Sequence, residues 1–168
     1  NKTLLPKGVH YKLEPQYGFK SKKLIGSASL QYTSQFEQGR LRSIRYGFSG
    51  NYFSYDTGLF YKRFTPFMTF TFSNQDIRNN EKQFVSLRNV TVSRDINPNN
   101  PQQDPNYSVF NASYVYSNPN LINYYRSVVD YQISSKFSKI ALTFDYRKLF
   151  ENNRQLNVRL FAGAFLFN

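Results

Sequence analysis

The chain has 168 residues, with 22 Lys and Arg against 10 Asp and Glu for a formal net charge of +12, and no cysteine. A disulfide framework and a thiolate metal site are therefore excluded. Aromatic residues make up 18%, as 17 Phe and 14 Tyr without Trp; side chains of this kind suit a pleated surface and are disfavoured inside helices, which points to an all-β class.

Mean hydropathy is −0.59, and no unbroken apolar run approaches twenty residues, so no segment reads as a transmembrane helix. A membrane barrel stays open, because its strands alternate lipid-facing and interior-facing residues and keep the average low. The chain begins at Asn1 and shows no charged region followed by an apolar one. No signal peptide is visible, and a mature or excised segment is implied.

Alternation with a period of two is the main signal, and it starts near the N-terminus. Val9, Tyr11, Leu13, Tyr17 and Phe19 stand against His10, Lys12, Glu14, Gln16, Gly18 and Lys20. Leu24, Gly26, Ala28, Leu30 and Tyr32 stand against Ser27, Ser29, Gln31 and Thr33. Ile44, Tyr46, Phe48 and Tyr52 then oppose Arg45, Gly47, Ser49 and Asn51, and Met68, Phe70 and Phe72 oppose Thr69, Thr71 and Ser73.

Between Phe84 and Arg94 the phase changes, with Val85 and Leu87 on one parity and Val90 and Val92 on the other. A β-bulge near Arg88 or Asn89 is the expected cause. Alternation resumes through Phe110, Ala112, Tyr114 and Tyr116, and again through Val129, Tyr131 and Ile133. It is clearest at the end, where Ile140, Leu142, Phe144 and Tyr146 alternate with Lys139, Ala141, Thr143, Asp145 and Arg147, and Leu156, Val158, Leu160, Ala162, Ala164 and Leu166 with Asn157, Arg159, Phe161 and Gly163.

Turn signals separate these runs at Ser21 to Lys23, Glu37 to Arg40, Asp56 to Gly58, Ser73 to Lys82, Ile96 to Pro105, Ser117 to Asn120, Ser134 to Ser138 and Glu151 to Arg154. About nine strands result, many longer than the five or six residues usual in soluble sheets and long enough for a membrane. Short turns between consecutive long strands predict an up-and-down antiparallel transmembrane β-barrel, with residues 1–168 as a single segment. Bacterial barrels generally close with an even number of strands, so an odd count suggests part of a larger barrel.

Aromatics near the predicted strand ends, Phe19, Tyr52, Tyr55, Tyr61, Phe64, Tyr124, Tyr125, Phe150, Phe165 and Phe167, are the candidates for interfacial girdles. The charged strand residues Glu14, Arg45, Asp130, Asp145, Arg147 and Arg159 are expected to point into the barrel interior, since charge on the lipid face is costly. The basic residues are dispersed, with the densest group at Lys20, Lys22 and Lys23 and a second at Arg40, Arg42 and Arg45, both near predicted turns. No nucleic-acid partner is expected from a distribution of this kind.

Catalytic signals are sparse. His10 is the single histidine, on the polar parity beside Lys12, and no H-E-x-x-H occurs, so no zinc site or cofactor is expected. Asp56-Thr57-Gly58 matches the aspartic-protease tripeptide, but it has no second copy and reads better as a hairpin turn. The sequons at Asn89 and Asn111 fall inside predicted strands.

Three stretches carry a resemblance: Arg63-Phe64-Thr65-Pro66-Phe67, Asp104 through Asn111, and Tyr146 through Leu156, followed by Arg159-Leu160-Phe161-Ala162-Gly163. They resemble the C-terminal membrane region of large Bacteroidota proteins related to the aminopeptidase N family of zinc metallopeptidases. The resemblance implies an outer-membrane location in a Gram-negative bacterium and a barrel that anchors or partners a surface or periplasmic peptidase-like domain. Its partners would be the lipid bilayer, the remaining strands and upstream domain of the parent chain, and other outer-membrane proteins. The zinc ligands of that family lie upstream, so the resemblance gives this segment no catalytic or metal residue. Barrels akin to the outer-membrane assembly and translocation proteins are a second similar group, and a soluble basic aromatic sheet binding nucleic acid or glycan is the non-membrane alternative.

Overall fold

The computed structural model describes residues 8–19, 22–56, 59–73, 81–96 and 106–167. They form nine strands in chain order: β1 (Val9–Gly18), β2 (Lys23–Gln35), β3 (Leu41–Asp56), β4 (Leu59–Ser73), β5 (Lys82–Arg94), β6 (Asn106–Pro119), β7 (Asn123–Ser134), β8 (Ser138–Leu149) and β9 (Gln155–Phe167). Each pairs antiparallel with its sequence neighbour, giving one sheet in the order β1 to β9. The strands run from 10 residues in β1 to 16 in β3. Every strand contact is between consecutive strands, so β1 and β9 do not meet and the sheet is open.

The meander follows from local chemistry. Asn120 builds one tight connection, its Oδ1 accepting from the backbone N–H of Ile122 at 2.9 Å and of Asn123 at 3.3 Å. This connection lies later than the turn expected at Ser117 to Asn120. Ser117, Asn118 and Pro119 instead extend β6 against Arg126, Tyr125 and Tyr124, and proline is tolerated there because a strand end leaves its missing N–H unneeded. The Asp56-Thr57-Gly58 reading is partly visible: Asp56 faces Leu59, which leaves a two-residue connection, while Thr57 and Gly58 lie outside the described residues.

Residues facing one another across antiparallel strands share a side of the sheet. Following such pairs, His10 leads through Gln31, Gly47, Phe67, Arg88, Asn111, Gln132 and Lys139 to Phe165. That line enters β1 at its second residue and leaves β9 at its third from last, although both strands run in the same direction. A slip of about nine residues over eight strand-to-strand steps, at about 3.3 Å per residue and 4.8 Å per step, inclines the strands by about 40° to the sheet's own long-axis normal. Closed barrels use inclinations of this size.

No bulge occurs at Arg88 or Asn89. The β4–β5 and β5–β6 registers run through this region without a shift, so β5 keeps its phase and Val90 and Val92 lie on the same side as Arg88. The sequence misleads here because the side chains change character while the backbone does not: Asn89, Thr91 and Ser93 take positions on the otherwise apolar side. They tolerate it by bonding among themselves and across to β6, with Asn89 Nδ2 donating to Thr91 Oγ1 at 3.3 Å and Ser108 Oγ donating to Asn89 Oδ1 at 3.0 Å.

Glycine is required at two close approaches. A Cβ on Gly47 would meet Gln31 Cα at 2.7 Å as well as the Leu30 carbonyl oxygen. Gly26 adopts φ of 145° beside the Glu14 carbonyl, where any side chain would collide with backbone.

Among the described residues the sheet has no second layer. Among the described hydrophobic residues only Phe60 at 2% exposure and Val92 at 1% are buried, whereas Leu13 is 68% exposed, Leu160 60% and Phe64 50%. A single sheet of this length with its apolar side bare is unlike a soluble sandwich, in which the inner faces cover each other.

Candidate functional site

The two sides of the sheet differ sharply in chemistry, and the pairing register fixes which residue belongs to which. On the apolar side the middle of each strand is aliphatic or small: Leu13, Ala28, Gly50, Met68, Leu87, Ala112, Val129, Leu142 and Ala162. Among the described side chains, charge on this side within the paired registers is confined to Lys62, near the start of β4, and Lys148, next to the end of β8.

Aromatic residues bracket that aliphatic band. Toward the end carrying the 36–40, 120–122 and 150–154 connections lie Tyr11, Tyr32, Tyr46, Tyr116, Tyr125 and Tyr146, all on the apolar side. Tyr32 and Tyr46 face each other with ring centroids 5.6 Å apart, and so do the rings of Tyr116 and Tyr125. Their hydroxyls reach the rim, where Tyr125 OH donates to Glu81 Oε1 at 3.1 Å and lies 3.2 Å from Tyr116 OH. Toward the opposite end lie Tyr17, Tyr52, Phe60 and Phe64, with Tyr52 stacked on Phe60 at 5.2 Å.

The aromatics singled out from sequence divide between the sides. Tyr52, Phe64 and Tyr125 are on the apolar side; Tyr61, Tyr124 and Phe165 are on the polar side; Phe167, beyond a register shift, pairs with Ser138 of the apolar side; Phe19 and Phe150 sit in connections, and the Tyr55 side chain lies outside those described. Proximity to a strand end chose that set, but the side of the sheet is decided by parity. The tyrosines at 11, 32, 46, 116 and 146 share the parity of apolar neighbours such as Leu13, Leu30, Ile44, Ala112 and Leu142, and that signal would have found them.

Glu14, Arg45, Asp130, Asp145, Arg147 and Arg159, the charged residues expected to point into a barrel interior, lie together on the polar side. Register adds Lys12, Arg63, Arg88 and Arg126 to them. His10 is there too, exposed near the start of β1.

Short polar contacts knit neighbouring strands on this side. Glu14 accepts from Lys12 Nζ at 2.7 Å and from Ser27 Oγ at 2.8 Å. With its amide oriented to meet donors, Asn51 accepts from Arg63 Nη2 at 2.9 Å and Nε at 3.2 Å. Arg88 Nε donates to Asn111 Oδ1 at 3.1 Å, and Asn111, only 5% exposed, passes the connection on by donating Nδ2 to the Tyr131 carbonyl at 3.3 Å. That engagement of the amide leaves the Asn111 sequon inaccessible.

At the β7–β9 end of the same side a groove of about 390 Å³ is lined by Tyr124, Asp145, Arg147, Gln155, Asn157 and Arg159. Arg159 Nε approaches Asp145 Oδ1 at 3.4 Å, and the Arg147 guanidinium lies 5.2 Å from the Tyr124 ring centroid. Among the described residues no three His, Asp or Glu side chains gather as a metal would require. The polar side is charged, and hydrogen bonds between strands knit it together. No protein-family model, curated protein or solved structure matches this chain.

Proposed function

We propose that this chain is a non-catalytic length of outer-membrane β-barrel wall, its apolar side against lipid and its polar side lining the interior. The observation that carries the reading is the aliphatic band flanked by two aromatic bands across an unlayered antiparallel sheet. Soluble monomers rarely expose apolar patches beyond a few hundred Å². Strands of about thirteen residues inclined by about 40° rise roughly 30 Å, the thickness of a hydrocarbon core.

The edges bear on what completes the wall. β1 and β9 run in the same direction, so joining them would make a parallel pair in an otherwise antiparallel sheet. An unpaired edge in lipid leaves backbone groups unsatisfied at several kcal/mol each. Additional antiparallel strands of the parent chain, odd in number, complete the barrel on this reading. The stretches around Pro66, Pro105 and Leu149 support a role as the anchor of a metallopeptidase-like domain, with a barrel of assembly or translocation type as the other membrane role they resemble.

Expression with the native upstream and downstream chain tests the proposal. The protein is expected in the detergent-extracted outer-membrane fraction, migrating faster on a gel unboiled than boiled. A wholly soluble, monomeric, detergent-free product overturns it, and salt-sensitive binding of single-stranded nucleic acid by that product would establish the alternative.

A further inference from the structure

The polar side is not merely hydrophilic; its charge is one-sided. Among the described side chains, the acidic residues within the paired registers of this side are Glu14, Asp130 and Asp145. Glu14 is engaged by Lys12, and Asp145 lies within reach of Arg159 while facing Arg126 across the β7–β8 pair. The basic residues outnumber them, and several have neutral partners: Arg63 is held by the Asn51 amide and Arg88 by the Asn111 amide. An amide oxygen fixes a guanidinium in place without cancelling its charge.

Position sharpens this. Arg45, Arg63, Arg88, Arg126 and Arg159 come from β3, β4, β5, β7 and β9, and all five are exposed. Allowing for the inclination of the strands, Arg88 lies at mid-height, Arg63 above it and Arg45, Arg126 and Arg159 below. They form steps along the wall in place of a ring at one mouth. Like charges placed a few strands apart repel, and an unfilled membrane wall has no structural need for them, since Ser, Thr or Asn would hydrate the interior equally well. Positive groups spaced along a water-filled passage with low-dielectric walls raise the local concentration of counter-ions and lower the barrier for their passage.

We infer that the interior bounded by this wall is an anion-selective passage for small hydrated anions of the chloride or phosphate class, with Arg45, Arg63, Arg88 and Arg126 as its selectivity-determining residues. This rests on the reading of the chain as a barrel wall. The arginines attract and hand on anions between successive steps; Asn51 and Asn111 position two of them.

The test is conductance of the full-length protein reconstituted in planar bilayers of neutral lipid under a tenfold KCl gradient. The expected reversal potential corresponds to chloride permeating at least about threefold better than potassium. The Arg63→Glu, Arg88→Glu double variant is expected to bring that ratio below one. Because those two arginines also join strands, the Arg45→Glu, Arg126→Glu double variant is measured beside it; neither has a hydrogen-bonded partner among the described residues, and the ratio is expected to fall at least about twofold. A barrel that inserts but carries no current, or conducts without preference for chloride, overturns the inference and leaves the barrel reading standing. Unchanged selectivity in both folded variants also overturns it. A protein that does not enter the bilayer at all removes the barrel reading itself.

Discussion

Met68 and Thr69 are neighbours in β4, yet the sheet assigns them to different worlds. Met68 faces Tyr46 and Leu87 on a side where charge is confined to strand ends, while Thr69 faces Arg45 and Ser86 on a side crossed by hydrogen bonds, its hydroxyl 3.4 Å from that of Ser86. The same division runs through every strand. The apolar side is smooth, aliphatic at its middle and aromatic at its borders; the polar side is uneven, charged and locked together by side-chain contacts. On the barrel reading, a surface facing lipid disfavours polar groups unless they bond among themselves, as Asn89, Thr91 and Ser108 do, whereas one facing water can use them to specify register.

Breaking this comparison begins with arginine placed on either side. In lipid vesicles Met68→Arg is expected to lower unfolding free energy by about 2–4 kcal/mol, and Thr69→Arg by less than about 1 kcal/mol, both read from urea titration. Equal effects would mean that the apolar side is not in hydrocarbon. A second experiment asks how tightly the strands approach. Gly47→Val should cost about 1–3 kcal/mol by the same titration, because its side chain would press on backbone of β2 rather than on a movable side chain.

The polar connection through Asn111 supplies a sharper contrast. Asn111→Leu removes the acceptor for Arg88 and the donor to Tyr131 at a nearly buried position, and a loss of about 1–3 kcal/mol is expected. Asn89→Leu, on the apolar side at the next row, should be close to neutral or stabilising in vesicles, since lipid can accept what replaces the amide. The smallest effect belongs to the rim: Tyr116→Phe removes one hydroxyl contact with Tyr125 and should cost under about 1 kcal/mol, leaving the aromatic band intact. A large loss there would show that the rim hydroxyls anchor the strands.

Much of this was legible in the residues alone. Alternation in β1 to β4 and again in β8 and β9 assigned apolar and polar parity correctly, and Glu14, Arg45, Asp130, Asp145, Arg147 and Arg159 fall together as their parity requires. The residues near Arg88 and Asn89 read as a bulge in the sequence because a local change of polarity imitates a change of backbone phase. Only the registers with β4 and β6, which do not shift across this stretch, separate the two. Strand-end position likewise placed Tyr61 and Tyr124 among the girdle candidates, although pairing sets them on the polar side.

The sequence by itself determined that these residues make long antiparallel strands with one apolar parity, because side chains alternate along any extended backbone whatever lies beside it. The tertiary structure decided how the strands line up. The inclination of about 40°, the two aromatic bands, the stepped arginines and the open edges at β1 and β9 each depend on register between neighbours, which is fixed by hydrogen bonds across strands and by close approaches such as that at Gly47.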